Sequence, residues 1–457
     1  MRKDNPTVSR REFIKTSGGA VAASVVATSP SHDPPFLSHF RRPAKMRYAI
    51  VGTGIRAIDM WGRDVARGYS DYVEFVGLCD INPGRLAFAK EYIGVDCPTF
   101  TDFSEMMRQA HPDTLCVTTV DSTHDEFIIK GMEAGCNIVT EKPLTTDEFK
   151  CQAILDAQAR TRKNIAVTFN YRYSPHRTKM KELLMEGRIG RLTSVDFHWY
   201  LDIYHGTSYF RRWHGKERYG GTLFVHKATH HFDLLNWWID SEPDEVFARG
   251  ALEYYGHNNA FRHTNCRGCR YANQCRHYWD ISEDQLLTRL YVDHEHHDGY
   301  LRDGCVWSSE IDIFDKMAAQ IRYMNGVLVS YSCTTYSPYE GYRIAFNGTT
   351  GRMEAWIKER QPWPMEDYDE IRITDNFGET ELIQIPHAGG GHGGGDTRLR
   401  DRIFKDPTAP DPYGHAAGVR DGAMSILIGI GARTSVKTGE PVKIASLTTL
   451  KPRVTRP

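Results

Sequence analysis

The fold class expected for this 457-residue chain is α/β: an N-terminal Rossmann domain, then an α/β domain with a large, mostly antiparallel open sheet. Three observations predict it. Between residues 46 and 169, short apolar runs alternate with helical periodicity, the pattern of a parallel sheet covered on both faces. The turn Gly52-x-Gly54-x-x-Ala57 lies directly between the first strand and the first helix. After Phe169 the strands lengthen and alternate polar with apolar, parted by turn sequences such as "NGTTG" and "DNFG".

The elements follow in order. Tyr48 to Gly52 is an apolar strand, Ile55 to Arg67 a helix, Val73 to Asp80 a strand and Pro83 to Ile93 a helix. Thr114 to Val117 is a strand, His124 to Ala134 a helix and Asn137 to Thr140 a strand. Thr145-x-x-Glu148 reads as a capping box opening a helix to about Ala159, and Ile165 to Phe169 closes the first domain. In the second domain, helices are expected at His176 to Glu186, near 228–239 and near 416–437. Strands are expected at Thr193 to Tyr204, Asp244 to Tyr255, Met324 to Tyr336, Tyr342 to Phe346, Arg352 to Ile357, Glu370 to Thr374 and Glu379 to Ile385. The site is expected between the two domains.

Lys plus Arg (57) almost cancels Asp plus Glu (58), so no field of one sign draws the chain to nucleic acid or an anionic membrane. Beyond the N-terminus no run of ~18 apolar residues could span a bilayer. The start has a different character. Arg2, Lys3, Arg10 and Arg11 precede a weakly apolar run from Thr16 to Thr28, with Val25-x-Ala27 as a cleavage site, and Arg10-Arg11-Glu12-Phe13-Ile14-Lys15 resembles a twin-arginine export signal. Residues 1–29 are therefore expected to be a signal peptide, and the proline-rich 30–45 a linker or arm. The expected location is periplasmic.

The Gly-rich turn points to a dinucleotide. Gly52 permits the tight turn, Gly54 lets the backbone approach a pyrophosphate, and the helix start supplies N–H donors. Asp80, ending the next strand, can accept both ribose hydroxyls and repels a 2′-phosphate, which favours NAD. Arg56 in the turn could meet a 2′-phosphate, which keeps NADP open.

With this turn, "TEKPL" (Thr140 to Leu144), "GGTLFVHKATHHFDLLNWW" (Gly220 to Trp238) and "GVRDGAMSILIGIGARTSVKTGEPV" (Gly418 to Val442) resemble the Gfo/Idh/MocA oxidoreductase family, from residue 46 to near the C-terminus. The resemblance implies hydride transfer between a nicotinamide cofactor and a sugar or cyclitol hydroxyl, and a homodimer or homotetramer formed through the open sheet. It implies a cofactor set of Gly52, Gly54, Ile55, Arg56, Asp80, Thr119, His124, Glu141 and Lys142. Lys142 matches the family's active-site lysine, able to stabilise a developing alkoxide and join in proton transfer. His230 matches the catalytic histidine, the base on the substrate hydroxyl. His226 stands where the family usually has Asp, so a fixed anion beside the lysine is missing; Asp233, three residues past His230, could orient that ring. Tyr171, Arg172, His226, Asp233 and His392 are the expected substrate contacts. His392 and Asp396 lie in "GGGHGGGD" (Gly389 to Asp396), similar to a His-Gly-Gly-x-Asp run of NAD-dependent glycosidases.

"HTNCRGCRYANQCRHYW" and "LRDGCVW" hold Cys266, Cys269, Cys275 and Cys305, within a His- and charge-rich insertion at 257–310 that has little core of its own. Four thiolates at this spacing would suit structural zinc or an iron–sulfur cluster; two disulfides would staple it equally in an oxidising compartment. The other cysteines of the first half read as buried hydrophobes.

An exported dinucleotide enzyme must carry its cofactor and regenerate it in place. That admits an oxidoreductase with tightly bound NAD, whose NADH form is re-oxidised by a second carbonyl substrate. It also admits a redox-neutral glycosidase acting through a transient 3-keto sugar. The His226 replacement further admits a non-catalytic sugar-binding protein that keeps NAD structurally.

Overall fold

The computed structural model describes residues 45–456. The expected signal peptide, and all of the expected arm except Lys45, lie outside the described residues. The first sheet has six parallel strands: β1 Met46–Val51, β2 Val73–Cys79, β3 Thr99–Phe100, β4 Thr114–Val117, β5 Asn137–Thr140 and β6 Ile165–Val167. Their spatial order is β3-β2-β1-β4-β5-β6. The order reverses between β1 and β4, and the crevice beyond the strand ends there is where such sheets take ligands. β3 and the helix Phe103–Ala110 are additions to the expected elements. A two-residue strand offers almost no alternation to read. The first helix, residues 55–68, carries a π stretch at Ala57–Arg63.

The helix after β5 begins at Glu148, not at Thr145. Asp147 caps it, its carboxylate accepting from Lys150 N–H at 2.9 Å. Thr145 is buried with its hydroxyl unpartnered.

The second sheet has nine strands: β7 Leu192–Asp202, β8 Pro243–Ala251, β9 Lys316–Tyr323, β10 Leu328–Ser337, β11 Glu340–Gly348, β12 Gly351–Arg360, β13 Tyr368–Asp375, β14 Thr380–Pro386 and β15 Val442–Lys443. The order is β14-β13-β12-β11-β7-β10-β9-β8-β15, antiparallel at every step except β7 beside β10. The expected strand at Thr193 to Tyr204 stops at Asp202, whose side chain accepts from the N–H groups of Tyr204 and His205 and starts the helix Ile203–Arg211.

One face of this sheet is covered. The helix Ala228–Ile239 is buried along its whole length, and Val419–Thr438 packs beside it. At roughly 1.5–3 kcal/mol for each large apolar side chain removed from water, Leu234, Leu235, Trp237 and Trp238 fix that helix firmly in place. On the other face, burial alternates strictly along β9, so every second residue is left in solvent.

The insertion at 257–310 contains one short helix, Gln285–Leu290, and several 3₁₀ turns. Its expected metal is not supported. Among the described residues no group of three or more Cys, His, Asp or Glu stands close enough to hold an ion, and Cys266, Cys269, Cys275 and Cys305 are all free thiols, without the alternative disulfides. The staple is ionic instead. Buried Asp303 accepts from Arg267 Nε at 3.1 Å and from its backbone N–H at 2.9 Å, and the same guanidinium reaches Glu295 at 2.6 Å. Cys266 takes part as an acceptor, for Arg211 Nη1 at 2.9 Å and for the Trp279 backbone.

Candidate functional site

Five strand ends of the first sheet deliver the site. Past β1, Gly52 has φ +87°, and a Cβ there would lie 2.8 Å from the Thr119 nitrogen, so only glycine lets the β1 and β4 loops approach this closely. Past β2, Asp80 accepts from the Thr53 N–H at 2.7 Å and its hydroxyl at 3.0 Å. Its other oxygen accepts from Asn82 N–H at 2.9 Å. The carboxylate is thereby fixed at the position from which ribose hydroxyls are read. These residues fit an NAD site: a glycine turn, a helix start and an acid at the second strand end.

Arg56 does not reach toward Asp80. Its Nε donates to Glu141 at 2.8 Å and Nη1 lies 3.6 Å from Asp396. Glu141 also accepts from the Trp61 indole at 2.7 Å. Both residues of the expected cofactor set thus have side chains committed to tying the first helix to the end of β5. His124 is buried, with Nδ1 at 2.8 Å from the Pro143 carbonyl and Nε2 at 3.2 Å from that of Thr119, and so joins the β4 loop to Lys142-Pro143.

Past β5, Lys142 Nζ donates to the His226 carbonyl at 3.2 Å and lies 3.4 Å from His226 Nε2. His226 Nδ1 is in hydrogen-bonding contact with Asp121, in the loop after β4. The anion missing at position 226 is therefore supplied from Asp121, which sequence reasoning did not find. Burial lowers Lys142 to about 8, against the raising pull of Asp121 and Glu141. Burial raises the Asp121 carboxyl well above its ordinary range. Burial and the Lys142 and Arg212 charges push His226 well below its own. A neutral ring donating from Nδ1 to Asp121 leaves the Nε2 lone pair for Lys142, so one ammonium proton remains for a substrate oxygen.

Past β6, Tyr171 stacks on His230 at 4.1 Å between ring centroids, and its hydroxyl accepts from Lys227 Nζ at 2.9 Å. Tyr209, whose hydroxyl pairs with His205 at 3.0 Å, packs 5.3 Å from His226. Lys227, Tyr209 and His205 were not among the expected site residues; no spacing in the sequence marks them. His392 does reach this group. Its ring lies 5.6 Å from Tyr171, and its Nδ1 is 3.0 Å from Asp396, which also accepts from the Asn170 amide. Burial would raise Asp396, but His392, Arg56 and Asn170 hold it well below the usual carboxylate range.

Two expected substrate contacts are corrected. Arg172 and Asp233 are buried against each other, Arg172 Nε donating to Asp233 at 2.8 Å and Nη2 to Asp421 at 3.0 Å. The planar guanidinium claims both Asp233 oxygens, so neither residue faces a substrate and Asp233 does not orient His230. His230 Nδ1 is buried with no partner.

Comparison with known proteins covers both parts of the chain. Residues 46–169 match the family model "Oxidoreductase family, NAD-binding Rossmann fold", and residues 181–444 match "Oxidoreductase family, C-terminal alpha/beta domain". A Bacillus subtilis (strain 168) protein that carries the name oxidoreductase YteT is 38% identical over 426 residues, covering 87% of this chain and 97% of that one. Inositol 2-dehydrogenase 3 of Saccharopolyspora erythraea is 30% identical over 201 residues, 43% of this chain and 54% of its own length. Among solved structures, levoglucosan dehydrogenase in complex with NADH and levoglucosan shares the fold with a TM-score of 0.63 at 18% identity, over 88% of this chain and 100% of that one. This chain belongs to the Gfo/Idh/MocA family of NAD-dependent oxidoreductases.

Proposed function

We propose that this protein oxidises a secondary hydroxyl of a sugar or cyclitol, using NAD that stays bound between turnovers. The observation that carries the reading is Lys142, lowered to about 8 and held against the His226–Asp121 pair beside the dinucleotide turn. Bound NAD⁺ would supply the hydride acceptor. Lys142 takes the hydroxyl proton, since its neutral form is accessible near physiological pH. His226 and Asp121 fix the lysine and share the charge change. His230, stacked on Tyr171, offers its ring to the same oxygen. Support for a polyhydroxylated substrate comes from the names of the relatives, which are inositol and levoglucosan dehydrogenases.

A second reading is favoured by the His392–Asp396 pair, which sits against Tyr171. A histidine there could move a proton at the carbon next to a transient ketone, giving redox-neutral glycoside cleavage. One experiment separates the two: NADH absorbance and sugar release, followed with a panel of polyols, sugars and aryl glycosides. Lasting NADH that disappears on adding a second carbonyl compound supports the oxidoreductase. Aglycone release without lasting NADH supports the glycosidase. A protein that binds NAD but turns over nothing in the panel would count against both.

We also propose that the protein acts in the periplasm as a homodimer or homotetramer. The Arg10-Arg11 pattern supports export, and the uncovered face of the second sheet supports self-association. Cell fractionation and light scattering test these separately.

A further inference from the structure

The insertion at 257–310 lies across the dinucleotide turn. The Tyr291 hydroxyl accepts from the Ile55 N–H at 2.9 Å, at the start of the first helix, and a Cβ on Gly54 would come within 3.3 Å of the same oxygen. The same segment is anchored further along the cleft. His294 packs against Gly84 so closely that a Cβ there would lie 2.2 Å from its Nδ1. Asn82 Nδ2 donates to the His294 carbonyl at 2.9 Å, Arg85 pairs with Asp298, and Arg289 reaches Glu91 at 2.9 Å. The insertion therefore runs from the glycine turn to the helix that follows Asp80, the two ends of an adenosine diphosphate.

Beside it stand two arginines without an ion pair among the described residues, one on the insertion and one outside it. Arg302 stacks over Tyr291, 5.0 Å from ring centre, and interacts with the Tyr300 side chain, while its Nε is buried and unpartnered. Arg212, in the segment before His214, donates to the Ser208 carbonyl at 2.8 Å. Among the described residues neither guanidinium forms an ion pair, although the two are close enough that the Arg302 charge joins burial in lowering Arg212, to about 10. The carboxylates that feel them, Asp284 and Asp121, make no bridge to either. Two half-buried arginines without a carboxylate partner are available to a ligand that provides the anion.

We propose that Tyr291, Arg302 and Arg212 form the second half of the cofactor site, a strap that binds the dinucleotide diphosphate from the side opposite Gly52–Arg56 and slows its release. This rests on the NAD reading above. It gives a physical means by which the cofactor could stay on the protein where none is dissolved around it. The Tyr291 hydroxyl accepts from Ile55 and keeps its own proton to donate to a phosphate oxygen, and the arginines supply charge-assisted donors.

The test is the dissociation rate of NAD from the full-length holoprotein, read by tryptophan fluorescence, with binding of glucuronate to the same samples as a second arm. Arg302→Gln should release NAD about tenfold faster or more, and Tyr291→Phe a few-fold faster, with Arg302→Lys in between and glucuronate binding unaltered. Tyr291→Phe removes one oxygen, so it carries the test if Arg302→Gln does not fold. Unchanged release from Tyr291→Phe and from any folded Arg302 variant would overturn the proposal. So would loss of glucuronate binding with NAD retention intact, which would assign the arginines to an acidic sugar. If the wild-type protein itself binds no NAD, the functional reading fails rather than the strap alone.

Discussion

Two buried charge clusters stand at neighbouring strand ends and behave in opposite ways. After β6, Arg172 is locked. Its Nε and Nη2 meet both oxygens of Asp233, Nη1 donates to the Gly414 carbonyl at 3.1 Å, and Asp421 closes the group. After β5, Lys142 meets a histidine and a backbone carbonyl, while the carboxylate stands one residue further back, on the far side of the His226 ring. In the first cluster, charges and hydrogen bonds match: burial alone would lower the Arg172 pKa, but the directly bonded Asp233 and Asp421 outweigh it and raise the pKa. In the second, burial presses Lys142 and His226 down and Asp121 up, so the three compete for protons. Burial alone thus does not mark a reactive group. What marks it is burial with the opposite charge held one ring too far away to neutralise it directly.

The largest effect should come from removing the unmatched cation. Lys142→Ala should lower kcat for hydride transfer by about 10³-fold or more, with bound NAD and melting temperature nearly unchanged. Single-turnover NADH formation checks this. A variant with near-normal turnover would dissolve the contrast between the clusters.

The matched cluster should answer in the other quantity. Arg172→Ala leaves Asp233 buried and unpaired, which costs about 3–5 kcal/mol of stability. Urea or thermal unfolding should show that loss, and turnover per folded molecule should hold steady. A normal melting temperature with lost affinity for substrate would return Arg172 to the substrate contacts.

This contrast also explains what could be read ahead of the structure. Gly52, Gly54, Asp80 and Lys142 were legible because each acts through a strand end beside it in sequence. Asp121 was not, since its partner lies 105 residues away and nothing in "VDSTH" distinguishes it from a loop acid. Asp233 was misread for the converse reason. Its spacing from His230 suggested a local pair, but Arg172, 61 residues earlier, offers a two-pronged match that a single imidazole cannot equal. The cysteines failed likewise. Their spacing suggested a staple, while the fold gave that task to Arg267, Asp303 and Glu295.

The smallest effect, and the sharpest for the comparison, concerns Asp121. It touches neither cofactor turn nor Lys142 directly, so its role is to position His226 and to bias the charge on the lysine. Asp121→Asn should lower kcat/KM by about 10- to 100-fold, at the low end of what proton-transfer groups contribute. The pH profile distinguishes this from a structural defect. Lys142 accepts the proton when neutral, so kcat/KM in the wild type should rise as pH passes about 8. The Asp121 charge raises the Lys142 pKa, so its removal must lower it, and the rising limb should move to lower pH. A merely loosened site would lose rate at every pH and leave the limb in place. A limb that stays in place would mean that the substitution removed no charge, so that Asp121 does not bias Lys142 electrostatically.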